Sequence, residues 1–288
     1  MSEQITTVEV NGVTINYRLE GTGSGDLVVL INGLADDLGS WDYQVPALLN
    51  AGYRVLRYDN RGIGKSSKPG GKYTAELMAG DLRALLAGLN INEGFHLMGV
   101  SMGGMIGQAY ALMYPNSSPT SGAHILSLSL CCTYAQPTNF CSRMFDLWAD
   151  MAQHMSVSDV MRDVMLWAFT VPFFRTREND LAIFEEAMKQ LDMPLEAYLG
   201  QLNAIQVFNT ETALAETEKL GGLSGDKIMV LAGEEDILIP VQLSKELSEK
   251  IAGSKFVTTR GGHGCMWEFP DEFNKIFIVF LNKHQQRK

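Results

Sequence analysis

The sequence is short of positive charge, of cysteine and of long apolar runs. Against 33 acidic residues stand 23 basic ones, a formal charge of −10. That deficit argues against nucleic acid and anionic membrane surfaces as partners, since both select basic faces. The four cysteines, Cys131, Cys132, Cys141 and Cys265, form no CxxC pair and show no metal-ligand spacing, so no metal is expected. No apolar run approaches the ~18 residues of a membrane span. The first residues, Met1–Thr6, offer neither a basic n-region nor an apolar h-region. The expectation is a cytoplasmic chain with reduced thiols and an unused sequon at Asn116-Ser117-Ser118. Charged residues make up 19%, below the usual ~25%, and hydrophobic residues 46%, which excludes disorder and allows a sizeable core.

What is present reads as alternating strands and helices. Ile5–Val10 and Val13–Glu20 alternate apolar and polar residues around Asn11-Gly12, a dipeptide suited to a tight hairpin. Leu27–Ile31 is continuously apolar and too short for a helix, as strands buried on both faces are. Comparable runs recur at Tyr53–Tyr58, Phe95–Val100, Ile125–Leu130, Ile228–Ala232 and Lys255–Thr259. Helical spacing occupies Thr74–Leu89, Gly103–Tyr114, Val241–Ile251 and Asp271–Asn282. The alternation predicts an α/β fold, a mostly parallel sheet with helices on both faces. It breaks between Pro137 and Thr217, where four helical stretches follow one another. The reading is a core formed by 1–136 and 218–288, with 137–217 inserted as a helical cap.

Gly99-Val100-Ser101-Met102-Gly103 matches G-x-S-x-G, with a strand running in and a helix leaving. A turn that sharp strains the serine backbone and lifts its hydroxyl off the sheet, and the helix aims N–H groups at the same point. A glycine-rich turn with an incidental serine would explain the glycines but not this context.

A serine nucleophile needs a base, and the base an orienting acid. Gly233-Glu234-Glu235-Asp236 follows one strand and Gly261-Gly262-His263-Gly264 follows the next. Asp236 is the expected acid because a short side chain on a tight loop is the stiffer support; Glu235 is its rival. His96, His124, His154 and His284 lack such a setting, and only His154 has a position that can reach a ligand. Two backbone donors are needed for an oxyanion. They are expected at Met102, after the nucleophile, and at Leu34 in the loop Asn32-Gly33-Leu34-Ala35.

With these segments in view, the chain resembles the α/β-hydrolase fold superfamily, and within it the 3-oxoadipate enol-lactonase and small-esterase group. The resemblance is carried by Ile31–Leu34, Trp41-Asp42, Arg57–Ser66 (RYDNRGIGKS), Gly99–Gly104, Gly233…Asp236…Pro240 and Gly261–His263. It implies an eight-stranded-type sheet, Ser101 as nucleophile, Asp236 and His263 as its relay, Leu34 and Met102 as oxyanion donors, and no cofactor. One departure is Asn32-Gly33, where many relatives carry His-Gly. A serine at 101 excludes the relatives with a carboxylate nucleophile.

The cap carries 12 acidic and 5 basic residues, which disfavours a doubly anionic substrate. It also holds seven of the 15 methionines, side chains that adapt to irregular apolar ligands or simply pack. Trp148, Trp167 and Phe169–Phe174 can line an acyl pocket, pack internally or form a homodimer contact. Asn32, Gly33, Trp148, Trp167 and Met266 are the expected substrate contacts. The expected reaction is hydrolysis of an apolar ester or lactone through an acyl-enzyme. The alternatives are cleavage of a carbon–carbon bond in a β-diketone-like compound, and a ligand receptor built on a hydrolase scaffold.

Overall fold

The computed structural model describes residues 6–116, 122–217 and 220–286. Ile5 of the first predicted strand and Ser117-Ser118 of the sequon lie outside the described residues. In chain order the elements are β1 (Thr7–Val10), β2 (Val13–Glu20), β3 (Leu27–Ile31), α1 (Val45–Asn50), β4 (Arg54–Tyr58), α2 (Ala75–Gly88), β5 (Gly94–Val100), α3 (Met102–Met113) and β6 (His124–Cys131). Six helices follow: α4 (Asn139–Ala152), α5 (Val157–Ala168), α6 (Val171–Thr176), α7 (Glu178–Lys189), α8 (Leu195–Gln206) and α9 (Glu211–Thr217). The chain then returns to the sheet with β7 (Ile228–Gly233), α10 (Val241–Lys250), β8 (Lys255–Thr259), α11 (Cys265–Glu268) and α12 (Pro270–Asn282).

Eight strands form one sheet in the order β1-β2-β4-β3-β5-β6-β7-β8. β1 and β2 pair antiparallel, as do β2 and β4, and every later pair is parallel. The hairpin turns on Asn11 and Gly12, both with positive φ, as the dipeptide predicts. β3, β5 and β7 are buried along their whole length, which is why they read as unbroken apolar runs. β8 lies at the sheet edge and is only partly covered.

Register decides which loops meet. Ile31 pairs with Gly99, so the loops after β3 and β5 emerge side by side at the carboxyl edge. Gly233 pairs with Thr259, which brings out the loops after β7 and β8 together. β6 lies between the two pairs and ties them, Cys131 O accepting Ser101 N–H at 2.8 Å and Leu231 O accepting Cys132 N–H at 2.8 Å. Strand order reverses around β3, the position where open α/β sheets place their ligand crevice.

The Arg57–Ser66 motif is a brace for this edge. The Asp59 carboxylate accepts Leu38 N–H, Lys65 N–H and the Asn16 amide, each at 2.8 Å. Arg61 pairs bidentately with Asp81 of α2 at 2.5 and 2.6 Å, both groups buried. Removing either partner would strand a buried charge.

Candidate active site

Ser101 sits at φ 56°, ψ −119°, a conformation that L residues rarely adopt. The close packing of the turn explains its glycines. A Cβ on Gly99 would lie 2.0 Å from Gly103 O, and one on Gly103 would lie 2.2 Å from Ile31 O. Ser101 is held there by its own N–H on Cys131 O and by Gly104 N–H donating to its carbonyl at 2.9 Å.

His263 is buried, and its Nδ1 lies 2.9 Å from Asp236 Oδ2. The other oxygen of Asp236 accepts Leu238 N–H at 3.0 Å and Ile239 N–H at 2.9 Å, which fixes the carboxylate. Glu235 is exposed, and its backbone N–H donates to Gly261 O at 2.9 Å, stitching the acid loop to the histidine loop. Geometry therefore joins Asp236, and not Glu235, to the imidazole.

Ser101, His263, Gly33 and Leu34 all line one cavity of about 700 Å³. The loop between β3 and α1 forms one wall, and cap helices form the other, with Phe145 and Trp148 of α4 and Met161 and Met165 of α5. Met188 of α7 also reaches it, whereas Met144 and Met193 are buried in the core and away from the cavity. Met102 opens α3, so its N–H precedes any acceptor within the helix.

Three expected substrate contacts lie elsewhere. Asn32 is wholly buried; its Nδ2 donates to Tyr58 O at 2.9 Å and Asp36 O at 3.2 Å, and its Oδ1 accepts Trp41 Nε1–H at 2.6 Å. It braces the loop on which Leu34 sits and does not line the cavity. Met266 is wholly buried in an apolar cluster with Trp41, Met98 and Phe273 and does not line the cavity. Trp167 donates to Asp163 at 3.3 Å and packs against Phe140, outside the cavity wall. Of the aromatic run, Phe169 lines the cavity and stacks on Phe173 and Phe184 with centroids 4.7 and 5.1 Å apart. Internal packing explains that part of the run without a second copy of the chain.

Sequence reasoning missed three residues that shape the site. Glu268, buried, accepts Gly262 N–H at 2.7 Å and both N–H and hydroxyl of Thr170 at 3.2 and 2.6 Å, locking the histidine loop to the cap. Gln201 of α8 ties the cap to the Asn32–Ala35 loop. Asp36 lines the cavity, and burial, with repulsion from Asp37 second, pushes its carboxyl up to about 7. His263, Gly33 N–H and the Ser40 hydroxyl oppose that rise only partly. Each is a single polar residue without a spacing pattern; only the fold brings its partners together.

Three of the four cysteines also converge, a meeting that their spacing conceals. Cys132 Sγ lies 3.7 Å from Cys131 Sγ and 3.8 Å from Cys265 Sγ, all buried behind Asp236. Their mutual contacts, with burial after them, hold all three thiols well above their ordinary range. Among the described residues, Cys132, Asp236 and His263 form a second group of close donor atoms, but a metal there would compete with the 2.9 Å contact between His263 and Asp236.

Residues 26–270 match the family model described as alpha/beta hydrolase fold. The chain belongs to the α/β-hydrolase fold family. The hydrolase is 30% identical to the putative carbamate hydrolase RutD of Pantoea ananatis over 93% of each chain. It is 27% identical to the 2-hydroxy-6-oxononadienedioate/2-hydroxy-6-oxononatrienedioate hydrolase of Escherichia coli, over 97% of this chain and 96% of that one. Among solved structures it is similar to the enol-lactonase of Burkholderia xenovorans, with a TM-score of 0.82, 29% identity, and 96% and 100% of the two chains covered. These likenesses support hydrolase activity. Among the described residues no helix is long and apolar enough to cross a membrane.

Proposed function

We propose that the protein is a cofactor-independent serine hydrolase that cleaves an ester or lactone of a mainly apolar small molecule. The observation that carries this reading is the strained Ser101 facing the same cavity as an imidazole whose Nδ1 is held 2.9 Å from a buried, doubly anchored aspartate. His263 Nε2 takes the Ser101 proton as Oγ attacks the substrate carbonyl, and Asp236 keeps the imidazole in the required tautomer and stabilises the imidazolium. The Leu34 and Met102 N–H groups hold the developing oxyanion. The alcohol leaves with the proton from His263, and water, deprotonated by the same imidazole, releases the acid. The carbamate in the Pantoea relative's name presents the same kind of carbonyl.

The cap wall of Phe145, Trp148, Met161 and Met165 supports an apolar acyl group. The name of the Escherichia coli relative refers to a dicarboxylate, a charge that the acidic cap and Asp36 disfavour here, so ester or lactone cleavage ranks above carbon–carbon cleavage. A receptor would retain its ligand after at most one turnover. The test is multiple turnover of a p-nitrophenyl ester by the intact chain and its loss in Ser101→Ala. A Ser101→Ala protein with undiminished turnover would overturn the assignment.

A further inference from the structure

We propose that Asp36 is a specificity residue that selects an ester whose alcohol portion carries an ammonium group; this rests on the ester-hydrolase reading and narrows its substrate class. Asp36 belongs to the cavity wall, not to the outer surface. A Cβ on Gly33 would lie 2.9 Å from Asp36 Oδ2 and 3.5 Å from Ser101 Cβ, so the carboxylate and the nucleophile flank the same glycine. A group bonded close to the reacting carbonyl is therefore within reach of Asp36. With the acyl chain against the apolar side chains of α4 and α5, the alcohol portion falls on the Asp36 side.

Acidic groups outnumber basic ones around the cavity, although Asp42 is already paired with Arg57. Asp37, Asp42 and Tyr43 belong to the same loop as Asp36, and Asp192 follows α7. Asp59 and Lys65 come from the loop after β4, Arg18 from β2, and His263 from the loop after β8. Asp59 is already satisfied by three donors, and Lys68 binds Asp192 at 2.9 Å. Desolvation and Asp37 hold the Asp36 carboxyl up to about 7. A bound ammonium would favour the ionised carboxylate and displace its proton. Binding of the cation then strengthens as pH rises through about 7, because only the ionised carboxylate attracts it.

The test measures binding, so that it does not depend on turnover. Calorimetry on Ser101→Ala compares butanoylcholine with its neutral carbon isostere, in which a tert-butyl group replaces the trimethylammonium, one pH unit below and one above about 7. The expected result is tighter binding of the cation, with a gain of roughly tenfold across those two pH units, and a flat response for the isostere. Adding Asp36→Asn should remove both the preference and its pH dependence. This control separates Asp36 from His263, which also lines the cavity. Equal binding of the two esters, binding of neither, or a preference that survives Asp36→Asn would overturn the proposal. Hydrolysis of either ester by Ser101→Ala would count against the ester-hydrolase reading instead.

Discussion

Gln201, on cap helix α8, accepts the N–H of Ala35 at 2.9 Å through Oε1 while its Nε2 donates to Arg61 O, also at 2.9 Å. Ala35 has φ 57°, a left-handed conformation that a residue with a Cβ holds only when its surroundings impose it. The side chain of Gln201 is wholly buried, so both bonds are made away from competing water. The cap thereby fixes the loop carrying Leu34, the expected oxyanion donor.

If Gln201 is a positioning residue, Gln201→Met should lower kcat on a simple ester by about tenfold and change KM less, because the oxyanion contact strengthens in the transition state. Steady-state kinetics with kcat and KM resolved separately provide the check. A rise in KM alone would indicate that the bond serves cap placement and not the oxyanion loop.

Asp236 and Glu235 are adjacent in sequence and opposite in setting. Asp236→Asn should cost about 10³–10⁴ in kcat, since the imidazole loses its orienting carboxylate. Glu235→Gln should stay within about twofold of wild type, as Glu235 is exposed and the imidazole is joined to Asp236. Comparing the two variants on one p-nitrophenyl ester separates the neighbours.

Asp36 should make stability depend on pH in an unusual direction. Its folded pKa of about 7 lies above the ordinary 3.8, so folding favours the neutral acid. The resulting cost is absent below about pH 4, grows as pH rises toward 7, and is full above that. Asp36→Asn should therefore match wild type in acid and exceed it by on the order of 1–3 kcal/mol near pH 8, the cavity-facing side being partly solvated. Thermal melts of both proteins across that range measure the difference, and a gap independent of pH would contradict the assignment.

Asn32 tests whether the departure from His-Gly is structural. Asn32→Ala leaves Trp41 Nε1–H without its acceptor and Tyr58 O without this donor, in the core. The expected loss is about 2–4 kcal/mol in chemical denaturation, with activity falling because the loop it braces loosens. A fully stable variant with altered substrate preference would instead return Asn32 to the substrate-binding set.

The fold was legible because each buried strand is a short apolar run and each surface helix carries helical spacing; only the extents shift, as at β4, which begins at Arg54 and not Tyr53. The elbow was legible because the glycines at 99 and 103 answer to backbone contacts that any sequence making this turn must respect. Asp236 could be preferred over Glu235 from side-chain length alone. What stayed hidden depends on long-range burial. Asn32 and Met266 adjoin the loops of Leu34 and His263 in sequence, yet their side chains turn inward. Gln201, Glu268 and Asp36 each look like an ordinary polar residue until the cap and sheet are brought together.

The most direct measurement is labelling with a fluorophosphonate, which reacts with a serine hydroxyl made nucleophilic by its neighbours. Mass spectrometry of the labelled protein should place one adduct on Ser101, with labelling lost in His263→Ala although the chain remains folded. An adduct on another residue, or undiminished labelling of Ser101 without the imidazole, would contradict the relay.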